Sequence, residues 1–117
     1  MLLALYATRT SNNTNCSIAL GKKASAAVGV DVDAVTIAEL SGWYKPNPNA
    51  YAAGLAALGT TPERTLYVAG SPFDIAGAHR AGMDVFWHNQ AGMAPGDGGA
   101  PVVMDARRIE PLLDFLK

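Results

Sequence analysis

The sequence predicts an α/β domain, a parallel β-sheet with helices on both faces. Two features point there. Short, continuous apolar runs recur along the chain, the pattern of strands buried on both sides. Alanine-rich amphipathic stretches separate them, as helices separate the strands of a parallel sheet. At 117 residues, half of them hydrophobic, the chain suits one domain spanning 1–117 with a core of its own.

The elements follow in order. Leu2 to Ala7 is a continuous apolar run and reads as a buried strand. Thr8 to Asn15 is wholly polar and reads as a loop. Cys16 to Val28 reads as a helix with Ile18, Leu20, Ala24, Ala27 and Val28 on its apolar side, although Gly21 weakens it. Ala34 to Ile37 is a second strand, and Gly42 to Asn49 a loop. Asn47 and Pro48 suit the cap and first turn of a helix. In that helix Tyr51, Leu55 and Leu58 form an apolar stripe, and Gly59 closes it. Thr65 to Ala69 is a third strand. Ser71 to Asp74 opens a helix that Gly82 ends, and Val85 to His88 is a fourth strand. Ala91 to Pro101 is a Gly/Pro-rich loop, followed by a short strand, Val102 to Met104. Ile109 to Leu116 reads as a terminal helix with Leu112, Leu113 and Leu116 facing inward.

Composition excludes several function classes. Nine basic residues against ten acidic ones give a net charge of −1, and no basic run exceeds two residues. Neither a nucleic acid nor an anionic membrane is an expected partner. The lone Cys16 rules out a disulfide framework and a Cys-rich zinc site. His79 and His88 alone make no histidine cage, and neither sits in a Ser- or Cys-triad motif. The apolar start of about seven residues is far shorter than the roughly 20 that span a bilayer, and no basic n-region precedes it. A soluble, cytoplasmic protein is the expectation.

In an open parallel sheet, ligands bind beyond the carboxyl ends of the strands. Polar clusters fall at four such ends: Thr8–Asn13, Lys45–Asn49, Gly70–Asp74 and His88–Gln90.

Two of these clusters carry a resemblance. Tyr44-Lys45-Pro46-Asn47-Pro48-Asn49-Ala50-Tyr51 resembles the lysine motif of the haloacid dehalogenase superfamily. Val68-Ala69-Gly70-Ser71-Pro72-Phe73-Asp74-Ile75-Ala76-Gly77-Ala78 resembles its final acidic motif, and Val85 to Gly92 the strand and turn that follow. Leu2 to Thr8 is similar to the strand ending in the family's Ser/Thr motif. Tyr51 and the Pro-aromatic-Asp run look most like the 2-haloacid dehalogenases.

The resemblance implies a three-layer, Rossmann-like core and a hydrolase. In its mechanism an aspartate attacks carbon or phosphorus, and water hydrolyses the covalent intermediate. Lys45, Asp74 and Thr8 would be the catalytic residues. Thr8 would bind the substrate anion, Lys45 would neutralise developing charge, and Asp74 would position Lys45. Arg9, Tyr51 and Ser71 would line the substrate pocket. The implied ligand is a small anion, a 2-haloacid or a phosphate ester. No cofactor is expected. Magnesium would have Asp74 alone, because Gly70 stands where phosphatases carry a second aspartate.

The departures are as informative. The family's nucleophilic Asp motif follows its first strand, whereas the first acidic residue here is Asp31. Asp31-Val32-Asp33 precedes a strand and is rejected as the nucleophile. The cap segment is also missing, and Arg9 stands where an asparagine is usual. The chain thus resembles a truncated core that lacks the central nucleophile strand. Leu2–Ala7 and Thr65–Ala69 must then pair directly, or another chain must supply the strand. A homodimer or a complementing N-terminal chain is the expected partner. Whether the chain is an enzyme stays open: it is the C-terminal part of a hydrolase, inactive alone, or a non-catalytic remnant that binds a small anion or a partner chain.

Plainer readings compete at each residue. Asp74 three residues after Ser71 makes a helix capping box. Lys45 suits a solvated loop, and Tyr51 the core face of a helix. Arg9 either binds an anion or faces water. His79 and His88 read as packing and a polar strand end.

Overall fold

The computed structural model describes residues 2–4, 10–15, 17–20, 23, 33–96 and 99–115. Its centre is one six-stranded sheet ordered β3-β2-β1-β4-β5-β6. The strands are β1 (Leu2–Ala4), β2 (Thr10–Thr14), β3 (Ala34–Ile37), β4 (Thr65–Ala69), β5 (Asp84–His88) and β6 (Met104–Ala106). Five run in one direction. β1 runs against them, antiparallel to both β2 and β4. The α/β fold expected from the sequence is present, with one reversed strand in its middle.

β4 and β5 are the structural axis. Every residue of β4 is buried, as is the Val85–Trp87 centre of β5. Side chains alternate across a strand. Tyr67, Ala69, Val85 and Trp87 therefore enter one core with Tyr51, Leu55, Leu58, Ile75 and Ala78. Leu66, Val68 and Phe86 enter a second core with Leu112 on the opposite face. The two cores explain why these strands read as unbroken apolar runs rather than alternating ones.

Three α-helices are named here in chain order: α1 (Ala38–Ser41), α2 (Pro48–Leu58) and α3 (Pro72–Arg80). α2 begins as its sequence dictates. The Asn47 side chain accepts from the Asn49 N–H at 2.9 Å, and Pro48 occupies the first turn. Gly59 closes α2 in the left-handed region at φ +66°, where a Cβ is disfavoured. Ser71 caps α3 by accepting from the Phe73 N–H. α2 packs over β2 and β3 and touches α3.

Four expectations need correction. Thr10–Thr14 is a strand, not a loop. It has no apolar pattern because ladder pairing on both sides holds it: β1 at Thr10 and Ser11, β3 along Ser11–Thr14. The last strand is Met104–Ala106, two residues later than Val102–Met104. Glu110–Phe115 forms a tight 3-10 turn instead of an α-helix, so only part of the leucine stripe turns inward. Leu112 is buried but Leu113 is 60% exposed. Residues 18–20 and 23 are helical as expected, yet Leu20 faces solvent. The rest of the expected Cys16–Val28 helix, the Leu5–Ala7 end of the first strand, and Leu116 lie outside the described residues.

The expected gap in the sheet is closed by direct pairing. Leu2, Leu3 and Ala4 sit opposite Tyr67, Leu66 and Thr65. On the other side, Leu2 and Leu3 pair with Ser11 and Thr10. β1 thus lies between β2 and β4, where the resemblance implies a nucleophile strand, but it runs antiparallel to both.

Candidate active site

The carboxyl ends of β2 and β4 and the starts of α2 and α3 meet around Lys45. Lys45 lies just before the Asn47 cap of α2, and Asp74 lies in the first turn of α3. The Lys45 ammonium donates to Asp74 Oδ2 at 3.2 Å and to the Tyr67 hydroxyl at 3.1 Å. It also lies 5.9 Å from the centroid of the Tyr67 ring. The Lys45 side chain is only 13% exposed, and that of Asp74 24%. Taking an ammonium this far out of water is costly, and the paired carboxylate and phenol offset that cost.

The other carboxylate oxygen is also engaged. Tyr51 donates its hydroxyl to Asp74 Oδ1 at 3.3 Å. The Tyr51 and Tyr67 rings meet edge to face, with centroids 5.6 Å apart. Burial pushes both phenols above the ordinary tyrosine range, and the charge of Asp74 pushes them further. Both therefore stay neutral hydrogen-bonding groups at physiological pH. Gly77 makes this arrangement possible. A Cβ there would lie 2.9 Å from the Tyr51 ring carbons and closer still to its hydroxyl.

Asn15 fixes the main chain of Lys45 from both sides. Its Oδ1 accepts from the Lys45 N–H at 2.8 Å, and its Nδ2 donates to the Lys45 carbonyl at 3.1 Å. Two residues earlier, Asn13 Nδ2 donates to the Ala50 carbonyl at 3.1 Å and ties β2 to α2. Asn15, Lys45, Pro46, Phe73 and Asp74 line a depression of about 370 Å³. Phe73, 83% exposed, is the apolar member of its rim. An ammonium has three donors. Among the described residues two are used, for Tyr67 and Asp74.

The profile of haloacid dehalogenase-like hydrolases matches residues 25–88, more than half of the chain. The chain belongs to that family. A haloacetate dehalogenase, H-2 from Moraxella sp. (strain B), is 43% identical over 51 residues, covering 44% of this chain and 23% of the relative. An L-2-haloacid dehalogenase structure superposes with a TM-score of 0.83 at 24% identity, covering 92% of this chain and 48% of that one. The Xanthobacter autotrophicus L-2-haloacid dehalogenase, solved with chloropropionic acid covalently bound, gives a TM-score of 0.80 at 19% identity, covering 92% and 54%. These two structural likenesses speak for the fold. The chain spans about half of each structural relative or less, and under a quarter of the Moraxella enzyme.

Within this haloacid dehalogenase-like chain, three expected site residues converge: Lys45, Asp74 and Tyr51. Ser71 is adjacent, and its hydroxyl is used as the cap of α3. The capping-box reading of Asp74 gives way, because its carboxylate turns to Lys45 and Tyr51. Lys45 is not a solvated loop lysine. Tyr51 is a core residue whose hydroxyl also reaches Asp74. Thr8 and Arg9 lie outside the described residues. A hydroxyl–asparagine pair does stand at a strand end beside Lys45, and it is Thr14–Asn15. Sequence reasoning missed Asn15, Tyr67 and Gly77. The Thr-Asn dipeptide was a usable signal for the first, hidden by reading its strand as a loop.

The described residues are a poor fit to magnesium. Both oxygens of Asp74 are engaged by Lys45 and Tyr51, and among the described residues no group of three or more His, Cys, Asp or Glu side chains comes together. Nor is any described helix long and apolar enough to cross a membrane.

Proposed function

We propose that this chain carries the lysine–aspartate half of a hydrolytic site for a small anion, a 2-haloacid or a phosphate ester. The observation behind this reading is the Lys45 ammonium, held by Asp74 and Tyr67 at the wall of the depression. The nucleophilic aspartate would come from a complementing N-terminal segment or chain. With a 2-haloacid, its carboxylate attacks the carbon bearing the halogen, the carbon–halogen bond breaks, and halide leaves with the electron pair. Water then cleaves the resulting ester, releasing the 2-hydroxy acid and restoring the carboxylate. With a phosphate ester, the attack falls on phosphorus and the alcohol leaves. Lys45 holds the substrate anion and steadies the negative charge that shifts during attack. Asp74, Tyr67 and Asn15 hold Lys45, and Tyr51 holds Asp74. Thr14 and Asn15 take the role that the resemblance gave to Thr8 and its successor. The Asp74 environment favours a route without magnesium.

A second reading is a non-catalytic module that binds a small anion and turns nothing over. β1 favours it, because it occupies the strand position that a nucleophile would need.

Calorimetric titration of chloroacetate and inorganic phosphate into the wild type and Lys45→Ala tests the site. Loss of binding in the variant, with an unchanged circular dichroism spectrum, is expected; equal binding by both proteins overturns the reading. Chloride release is then followed after adding the N-terminal half of the Moraxella relative. Release only in the mixture supports the hydrolase, and binding without release supports the non-catalytic module.

A further inference from the structure

A second cavity borders α3 and shares no lining residue with the Lys45 depression. It holds about 300 Å³, at the lower end of small-molecule sites. Ile75, Ala76 and Val102 give it apolar walls, and Trp87 and Asp105 are its polar members. Trp87 is 2% exposed, yet its indole N–H has no hydrogen-bond partner among the described residues. Buried donors without a partner are rare, and indole nitrogen can only donate. Whatever satisfies it must present an acceptor.

Asp105 narrows the choice. Among the described residues it is the one charged side chain on the cavity wall, and none of them that line the space is a lysine, arginine or histidine. Among the described residues its Oδ2 receives a single long contact, from Asn89 Nδ2 at 3.5 Å, which leaves acceptor capacity. An anionic ligand would face that carboxylate without a counter-charge. A neutral ligand with one acceptor and one N–H donor on an apolar body meets both polar groups. We infer that this cavity binds a small neutral carboxamide or lactam, its carbonyl accepting from Trp87 and its N–H donating to Asp105. The site is separate from the proposed anion site and takes an uncharged ligand.

Benzamide is the probe and benzoate its charged control. The chain has two tryptophans, so Trp43→Phe leaves the Trp87 indole as the single such resonance in a nitrogen-15 NMR spectrum. Benzamide should shift that resonance in a saturable way, with benzoate at least about tenfold weaker. Asp105→Asn, a near-isosteric change at an exposed position, should bring the two ligands together. Ala76→Leu, which fills the cavity from α3, should abolish the shift while the thermal midpoint holds. An indole resonance that benzamide leaves in place, a preference unchanged by Asp105→Asn, or binding retained in a folded Ala76→Leu protein would each overturn the inference.

Discussion

Tyr51 and Gly77 are a matched pair on facing helices. The tyrosine hydroxyl reaches Asp74 only because position 77 has no Cβ. Gly77→Ala should push the ring aside, break the hydrogen bond to Asp74 and cost about 1–3 kcal/mol by overpacking. Anion affinity at Lys45 should fall with it. In Tyr51→Phe the nearest clashing atom is gone, so the double variant should lose less than the sum of the singles. Strict additivity in urea unfolding would show that the two positions do not touch. The tyrosines also set an alkaline limit. In the unfolded chain they ionise near pH 10, whereas burial and Asp74 raise both native values. Above pH 10 the unfolded state has lost protons that the native state still holds. Stability is therefore intact below that pH and falls above it, by at most about 1.4 kcal/mol per pH unit per tyrosine. Urea midpoints between pH 9 and 12 should drop less steeply for Tyr51→Phe/Tyr67→Phe than for the wild type; parallel curves would contradict the shifts.

Among the elements, β2 is wholly polar in sequence, yet it and the residue after it tie down the main chain around Lys45. Asn13 ties it to α2, and Asn15 holds the main chain of Lys45. Asn15→Ala removes both of these hydrogen bonds at an exposed position. It should cost little stability, about 1 kcal/mol, yet weaken anion binding several-fold, since Lys45 then samples more orientations. Asn15→Asp keeps the acceptor and should recover part of the affinity. Unchanged binding in Asn15→Ala would mean that Asp74 and Tyr67 suffice to hold the lysine. The same element shows where sequence reading stops. Ala34–Ile37 and Thr65–Ala69 were legible to the residue, as were the Asn47 and Ser71 caps, because burial and capping leave local chemical marks. That Lys45, Asp74 and Tyr51 would lie together was legible through the resemblance of their motifs to the family's. Thr10–Thr14 was not, because ladder partners distant in the chain hold a strand whose own side chains are polar. Tyr67 looked like any core aromatic, and only the fold brings its hydroxyl to Lys45.

At the scale of the whole molecule, β1 joins two half-sheets. β3 and β2 form one, and β4, β5 and β6 the other. Among the described residues three make the bridge, and they run against both neighbours. No local pattern foretells a strand's direction, so this reversal was hidden in the apolar run Leu2–Ala4. Deleting residues 1–4 would leave the inner edges of β2 and β4 unpaired. Such edges recruit another strand. The deletion variant should therefore associate in a concentration-dependent way in sedimentation experiments, at concentrations where the intact chain shows no such change. A peptide repeating the first seven residues should reverse the association by refilling the slot, whereas a scrambled peptide should not. If the variant unfolds instead, β1 is needed for the core itself, and Leu3→Pro should have the same effect, since Leu3 pairs with both Thr10 and Leu66. If the variant stays folded and does not associate, the two half-sheets have closed on each other, and the slot between β2 and β4 cannot receive a nucleophile strand from elsewhere.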